Sequence, residues 1–183
     1  MKQIHKRWPV PDSYTRNLPK YGAGSFLEYR GKNNVTHRGV DIYSPKGSSV
    51  IAPENLEIIH MGIWSTPDQK CYWNETLFAL VETESGEVFN FSELDKFMCQ
   101  EGSKLESGQM IGNIGQILNP DKISSDSPEY IQKLAKNSKF SMLHLERYIA
   151  DYLKTQEGGE HLVGSAVPLR FFRDPSEYLI NCK

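Results

Sequence analysis

What most constrains this chain is how short its apolar segments are and what separates them. Val40 to Tyr43, Ser49 to Ala52, Leu56 to His60, Leu77 to Thr83, Glu87 to Phe91, Met110 to Ile114 and Met142 to Tyr148 are rich in β-branched and aromatic residues, the composition that suits strands. Turn residues stand between them, as in Pro45-Lys46-Gly47, Glu84-Ser85-Gly86 and Ser107-Gly108. Such punctuation is that of antiparallel sheet. The expected fold is mainly β, built of antiparallel sheets.

One stretch departs from the pattern. Ser127-Pro128-Glu129 offers a helix N-cap, a proline at the first helical position and an early acid, and Tyr130, Ile131, Leu134 and Ala135 follow at helical spacing. A short amphipathic helix over 128–137 is predicted. The polar run Asn119 to Ser127 precedes it, so 117–140 reads as a helical insertion between two strands of one domain spanning 1–183. A second polar stretch, Thr155 to Gly164, contains Gly158-Gly159 and reads as a mobile loop.

The chain has 183 residues, 38% of them hydrophobic and 24% charged, which is ordinary for one soluble core. A formal charge of -2 removes the phosphate attraction on which nucleic-acid binders depend. No apolar run reaches the roughly 18 residues of a membrane helix, and no apolar segment follows the basic first residues to form a signal-peptide core. The expectation is a soluble chain of open localisation. Cys71, Cys99 and Cys182 are odd in number and far apart, without a Cys-x-x-Cys pair, so they read as free thiols.

Chemistry concentrates in Thr36-His37-Arg38-Gly39-Val40-Asp41-Ile42. An imidazole and a carboxylate lie four positions apart, separated by a glycine and leading into an apolar strand. Both donors suit zinc, and together they leave room for a third ligand and for water. Taken alone, the pair is a weak signal and reads more readily as a surface histidine and a turn aspartate.

The order of motifs along the whole chain adds to this. His37 to Gly62, HRGVDIYSPKGSSVIAPENLEIIHMG, resembles the opening of the lysostaphin-type (LytM-like) zinc metallopeptidases, in which a His-x-x-x-Asp turn leads into a strand, a Pro-x-Gly turn and a Val-x-Ala strand. Ser85 to Leu94 is similar to that family's hairpin and Tyr-x-His-Leu motif, and Gly102 to Gly112 to its Gly-Gln-x-Ile-Gly hairpin. Met142-Leu143-His144-Leu145-Glu146 falls where the family has His-x-His-Phe-Glu, and Phe172 to Leu179 resembles its closing Asp-Pro-x-x-Tyr-Leu. The resemblance implies a groove-forming β fold and a zinc ion held by His37, Asp41 and His144. It also implies peptide-bond hydrolysis in the Gly-rich or stem-peptide cross-links of bacterial peptidoglycan, and a cell-envelope or extracellular setting.

Two departures bear on activity. The family's two further histidines, which orient water and stabilise the tetrahedral intermediate, would fall at Glu93 and Met142. A thioether neither donates a useful hydrogen bond nor shuttles a proton. Glu93 could serve as a base, coordinate the metal or be solvated. Losing one such group costs on the order of 100- to 1000-fold in rate, so the expectation is reduced or absent hydrolysis. The alternative is a non-catalytic module that holds a peptide or a partner protein on the same fold. The hairpin ending Gln109 to Gly112 also resembles half of a biotinyl or lipoyl carrier, but no Met-Lys tip is present.

The other histidines read blandly. His60 ends a strand at a turn, His5 lies in the N-terminal tail, and His161 could reach over a groove to replace a missing imidazole. Trp8, Tyr43, Trp64, Tyr72 and Trp73 are the aromatics suited to line a groove, with the segment Ile63 to Trp73 its expected wall.

Overall fold

The computed structural model describes residues 6–30, 36–155 and 162–183. His5, His161 and most of the predicted loop Thr155 to Gly164 lie outside these. Among the described residues nine strands form one antiparallel sheet: β1 (Gly39–Tyr43), β2 (Ser49–Ile51), β3 (Leu56–Ser65), β4 (Thr76–Thr83), β5 (Val88–Phe97), β6 (Lys104–Leu105), β7 (Met110–Ile114), β8 (Met142–Tyr148) and β9 (Phe172–Arg173). The path runs β1-β8-β5-β4-β3-β6, with β7 bridging β5 to β2 and β9 beside β8. Among the described residues there are two α-helices, α1 (Glu129–Lys136) between β7 and β8 and α2 (Ser176–Leu179) after β9.

The sheet forms because its strands bury both faces near the centre. Val40, Ile42, Phe89, Phe91, Leu143 and Leu145 are nearly sealed from solvent in the main core, where each large side chain contributes roughly 1.5–3 kcal/mol on burial. A second cluster joins Tyr43, Tyr72, Ile117, Leu118, Ile131, Leu134 and Met142. The apolar face of α1 is therefore packed against the start of β8.

Three local expectations are corrected. β3 does not stop at His60 but runs on to Ser65, which puts His60 inside a strand, its Nδ1 2.7 Å from Glu101 Oε1. Gly62, two residues on, pairs with Phe78 across β4, and a Cβ on it would lie 2.8 Å from the Phe78 ring. β5 continues past Phe91 to Phe97, because a register shift at Glu93 absorbs the polar interruption. Pro128, not Ser127, caps α1, and no side chain caps it; the Ser127 hydroxyl accepts from the Ser124 amide instead.

Candidate metal centre

Asp41 and His144 stand directly opposite each other in the β1–β8 ladder, so their side chains leave the same face at close range. His37 sits two residues before β1, with the same parity as Asp41. Gly39 lies between them on that face. A Cβ at Gly39 would meet the Leu145 carbonyl oxygen at 2.4 Å and His144 Cε1 at 3.0 Å, so the missing side chain is what lets the His144 ring cross toward β1. The three donor atoms then close a triangle. His37 Nε2 is 2.8 Å from His144 Nδ1 and 3.0 Å from Asp41 Oδ1, and His144 Nδ1 is 3.0 Å from Asp41 Oδ1.

Neighbours decide which atoms point inward. His37 Nδ1–H donates to the Ser25 carbonyl at 2.8 Å, leaving the Nε2 lone pair directed at the triangle. His144 Nε2 faces Glu146 Oε1 at 3.4 Å, leaving Nδ1 free in the same way. Glu146 is itself held at Oε2 by Asn90 Nδ2 at 2.9 Å, Tyr148 OH at 2.6 Å and the Gly164 amide at 3.2 Å. Arg30 Nη2 donates to Asp41 Oδ2 at 3.2 Å, turning Oδ1 toward the histidines. Trp64 stacks on His144 with ring centroids 5.5 Å apart. Outer partners of this kind orient metal-binding imidazoles and carboxylates.

The charge balance asks for a cation. His37, Asp41 and His144 are all buried, and two lone pairs and a carboxylate oxygen confront one another within 3.0 Å. Burial lowers His37, with Asp41 opposing it. Burial would also lower His144, but its hydrogen bonds to Asp41 and Glu146 outweigh this and push it up to about 10. Burial works against Asp41 as well, yet the adjacent imidazoles and Arg30 hold its carboxyl well below the usual range. A proton on His144 is one answer to this arrangement and a divalent ion is the other. The donors suit zinc, which sets tetrahedral ligands roughly 3.4 Å apart, a few tenths of an ångström wider than the triangle. These three residues form the one group among the described residues that could hold a metal ion.

Glu93 and Met142 line the same cavity. Glu93 has a left-handed backbone, φ 68°, and it sits at the shift in β5, where its carbonyl accepts from the Gly115 amide at 2.8 Å. Its side chain is buried and Oε2 has no hydrogen-bond partner among the described residues. Burial, and secondarily Asp41, pushes its carboxyl up to about 8. A nearby divalent cation would reverse that balance. Met142, opposite Tyr43 in the ladder, belongs to the apolar cluster of α1.

The cavity has a volume of about 600 Å³. Trp64 and Trp73, with Gln69 and Lys70, supply one side, so the segment predicted to form a wall does border it. Trp8 and Tyr72 are packing residues, and Tyr43 lies buried beneath Lys139. Sequence reasoning missed Ser25, Arg30, Arg38 and Gly164. Arg38 Nη1 donates to the Gly164 carbonyl at 3.2 Å and also to that of Val167, fastening 164–167 where its first three residues line the cavity. Glu146 was within reach of period-two reasoning, two residues beyond His144 on the same face of β8.

Comparison with known proteins agrees on the fold. No family model and no curated protein matches the chain by sequence. Solved structures do match in shape. The solution structure of lysostaphin superposes with a TM-score of 0.54 at 18% identity, over 98% of this chain and 54% of that one. The catalytic domain of lysostaphin from Staphylococcus simulans gives 0.53 at 19% identity, over 87% of this chain and 90% of that one. A zinc containing peptidase from Vibrio cholerae gives 0.50 at 20% identity, over 79% and 36%. The chain thus spans about half the length of the lysostaphin chain in that solution structure, and it has the lysostaphin-type β fold.

Proposed function

We propose that this chain is a zinc-binding, lysostaphin-type peptidase-like unit, with 117–140 as its insertion, whose groove holds cell-wall peptides with little or no hydrolysis. The observation that carries the reading is the triangle of His37 Nε2, Asp41 Oδ1 and His144 Nδ1 at 2.8–3.0 Å, beside a groove that offers Glu93 and Met142 but no further imidazole among the described residues. Zinc bound there would acidify a water and polarise a peptide carbonyl. The protein's own contribution is unequal to that task. Ser25 and Glu146 hold the two imidazoles in register and Arg30 holds Asp41, so the metal ligands are well supported. Oxyanion stabilisation is not. Met142 has no proton to give, and an ionised Glu93 would repel negative charge growing on the substrate. Glu93, with its unpartnered Oε2, could accept a proton from water.

The lysostaphin likeness supplies the cell-wall peptide as occupant. A segment of a partner protein in the same groove is a second reading, favoured by the apolar side chains that α1 and Met142 bring to it.

A peptide-cleavage assay with zinc added tests catalysis directly. The parent is expected to hydrolyse pentaglycine and stem peptides negligibly. Glu93→His with Met142→His should raise turnover by at least about 100-fold, while either single change does much less, because groups that act together are strongly non-additive. Robust turnover by the parent, abolished in Glu93→Gln, would overturn this reading and make Glu93 the working base.

A further inference from the structure

The 117–140 segment lines part of the cavity beside the donor triangle with a largely apolar wall, interrupted by Tyr130. Ile131 and Leu134 project from the buried face of α1, Ile117 and Leu118 come from the chain entering the segment, and Met142 closes the wall at the start of β8, two residues from His144. We propose that the cavity selects a peptide carrying a branched aliphatic or aromatic side chain next to the bond held at the metal site, flanked by an acidic residue, in place of a glycine run. The proposal rests on the reading that the groove holds peptide, and it names what kind.

Three observations carry it. A glycine run has no side chain to lay against the wall, whose residues are already buried in their own cluster, whereas a Leu, Ile or Phe side chain laid there removes its own apolar surface from water. At about 600 Å³ the cavity has room for such a side chain together with its neighbours. Met142, one of the two residues that depart from the lysostaphin-type pattern, gains a purpose here: its flexible, polarisable thioether carries the wall to the metal site and can adapt to side chains of different shape. The rim adds charge. Arg38 and Lys70 both border the cavity, and among the described residues neither forms an ion pair. Arg38 spends its donors on the carbonyls of Gly164, Ser165 and Val167, which leave its charge uncompensated and ready for an acidic flank. Glu93 Oε2, buried and without a partner, offers the peptide main chain a hydrogen bond inside.

The test is calorimetric titration of the zinc-loaded full chain with three acetylated, amidated pentapeptides: pentaglycine, Gly-Gly-Leu-Gly-Gly and Gly-Gly-Leu-Asp-Gly. Expected is at least about ten-fold tighter binding of the leucine peptide than of pentaglycine, with a further gain from aspartate that fades at high salt. Leu134→Gln should erase the leucine preference while leaving zinc content unchanged. If that variant does not fold, Met142→Gln, close to the parent in volume, replaces it. Equal affinity for pentaglycine and the leucine peptides would overturn the selectivity and leave the peptide groove standing. Binding of no peptide by zinc-loaded protein would overturn both.

Discussion

At the scale of single residues, the centre depends on side chains outside the three donors. Glu146 is buried and holds His144 Nε2 while receiving Asn90, Tyr148 and the Gly164 amide. Burial opposes its charge, but His144, Asn90 and Tyr148 hold its carboxyl below the usual range. Replacing it with glutamine removes that charge and frees the ring to rotate. Glu146→Gln should therefore weaken zinc binding by about 10- to 100-fold, read by competition with a chromophoric chelator, while the far-ultraviolet spectrum stays unchanged. An unaltered affinity would show that His144 needs no such support. His37, Asp41 and His144 were legible as one set only through the order of motifs around them, since nothing local to His144 announces a ligand. Ser25 and Arg30 were not legible at all. They reach the site from an irregular segment whose position is decided by long-range contacts, the Gly24 carbonyl accepting from the Asp41 amide at 2.9 Å among them.

At the scale of elements, the pairing of β1 with β8 is what brings residues over a hundred positions apart together. The bounds of β1, β2, β7, β8 and α1 lie within a residue or so of those predicted, because each has a clean run or period and a turn at its end. β3 and β5 were underestimated for one reason. Gly62 and the Ser92-Glu93 pair look like interruptions, yet a neighbouring ring and a bulge carry the strand through them. β6 and β9, two residues each, have no period to read. The same pairing makes Gly39 the most sensitive position in β1. Its added methyl would strike a backbone oxygen that cannot rotate away. Gly39→Ala should cost roughly 1–3 kcal/mol in stability, measured by urea denaturation, and should reduce zinc content as β1 parts from β8. Full zinc content in a stable Gly39→Ala protein would mean that the strands approach less closely than described.

At the scale of the whole molecule, a bound ion couples to folding, because the triangle exists only when β1, β8 and the segment before β1 are assembled. An ion that binds the native chain alone, present at 100 times its dissociation constant, stabilises it by about 2.7 kcal/mol, equivalent to roughly 5–10 °C in melting temperature for a chain this size. Stripping the metal with a strong chelator should lower the melt by that amount, and adding zinc back should restore it. An identical melt in both states would separate the centre from stability. The measurement that bears most directly on the central claim is X-ray absorption at the zinc edge, on protein loaded with one equivalent and dialysed. The account predicts only nitrogen and oxygen neighbours at about 2.0–2.2 Å, two of them imidazoles, and loss of that signature in His144→Ala. Zinc that washes out on dialysis, or sulfur scattering near about 2.3 Å from a cysteine site, would contradict it.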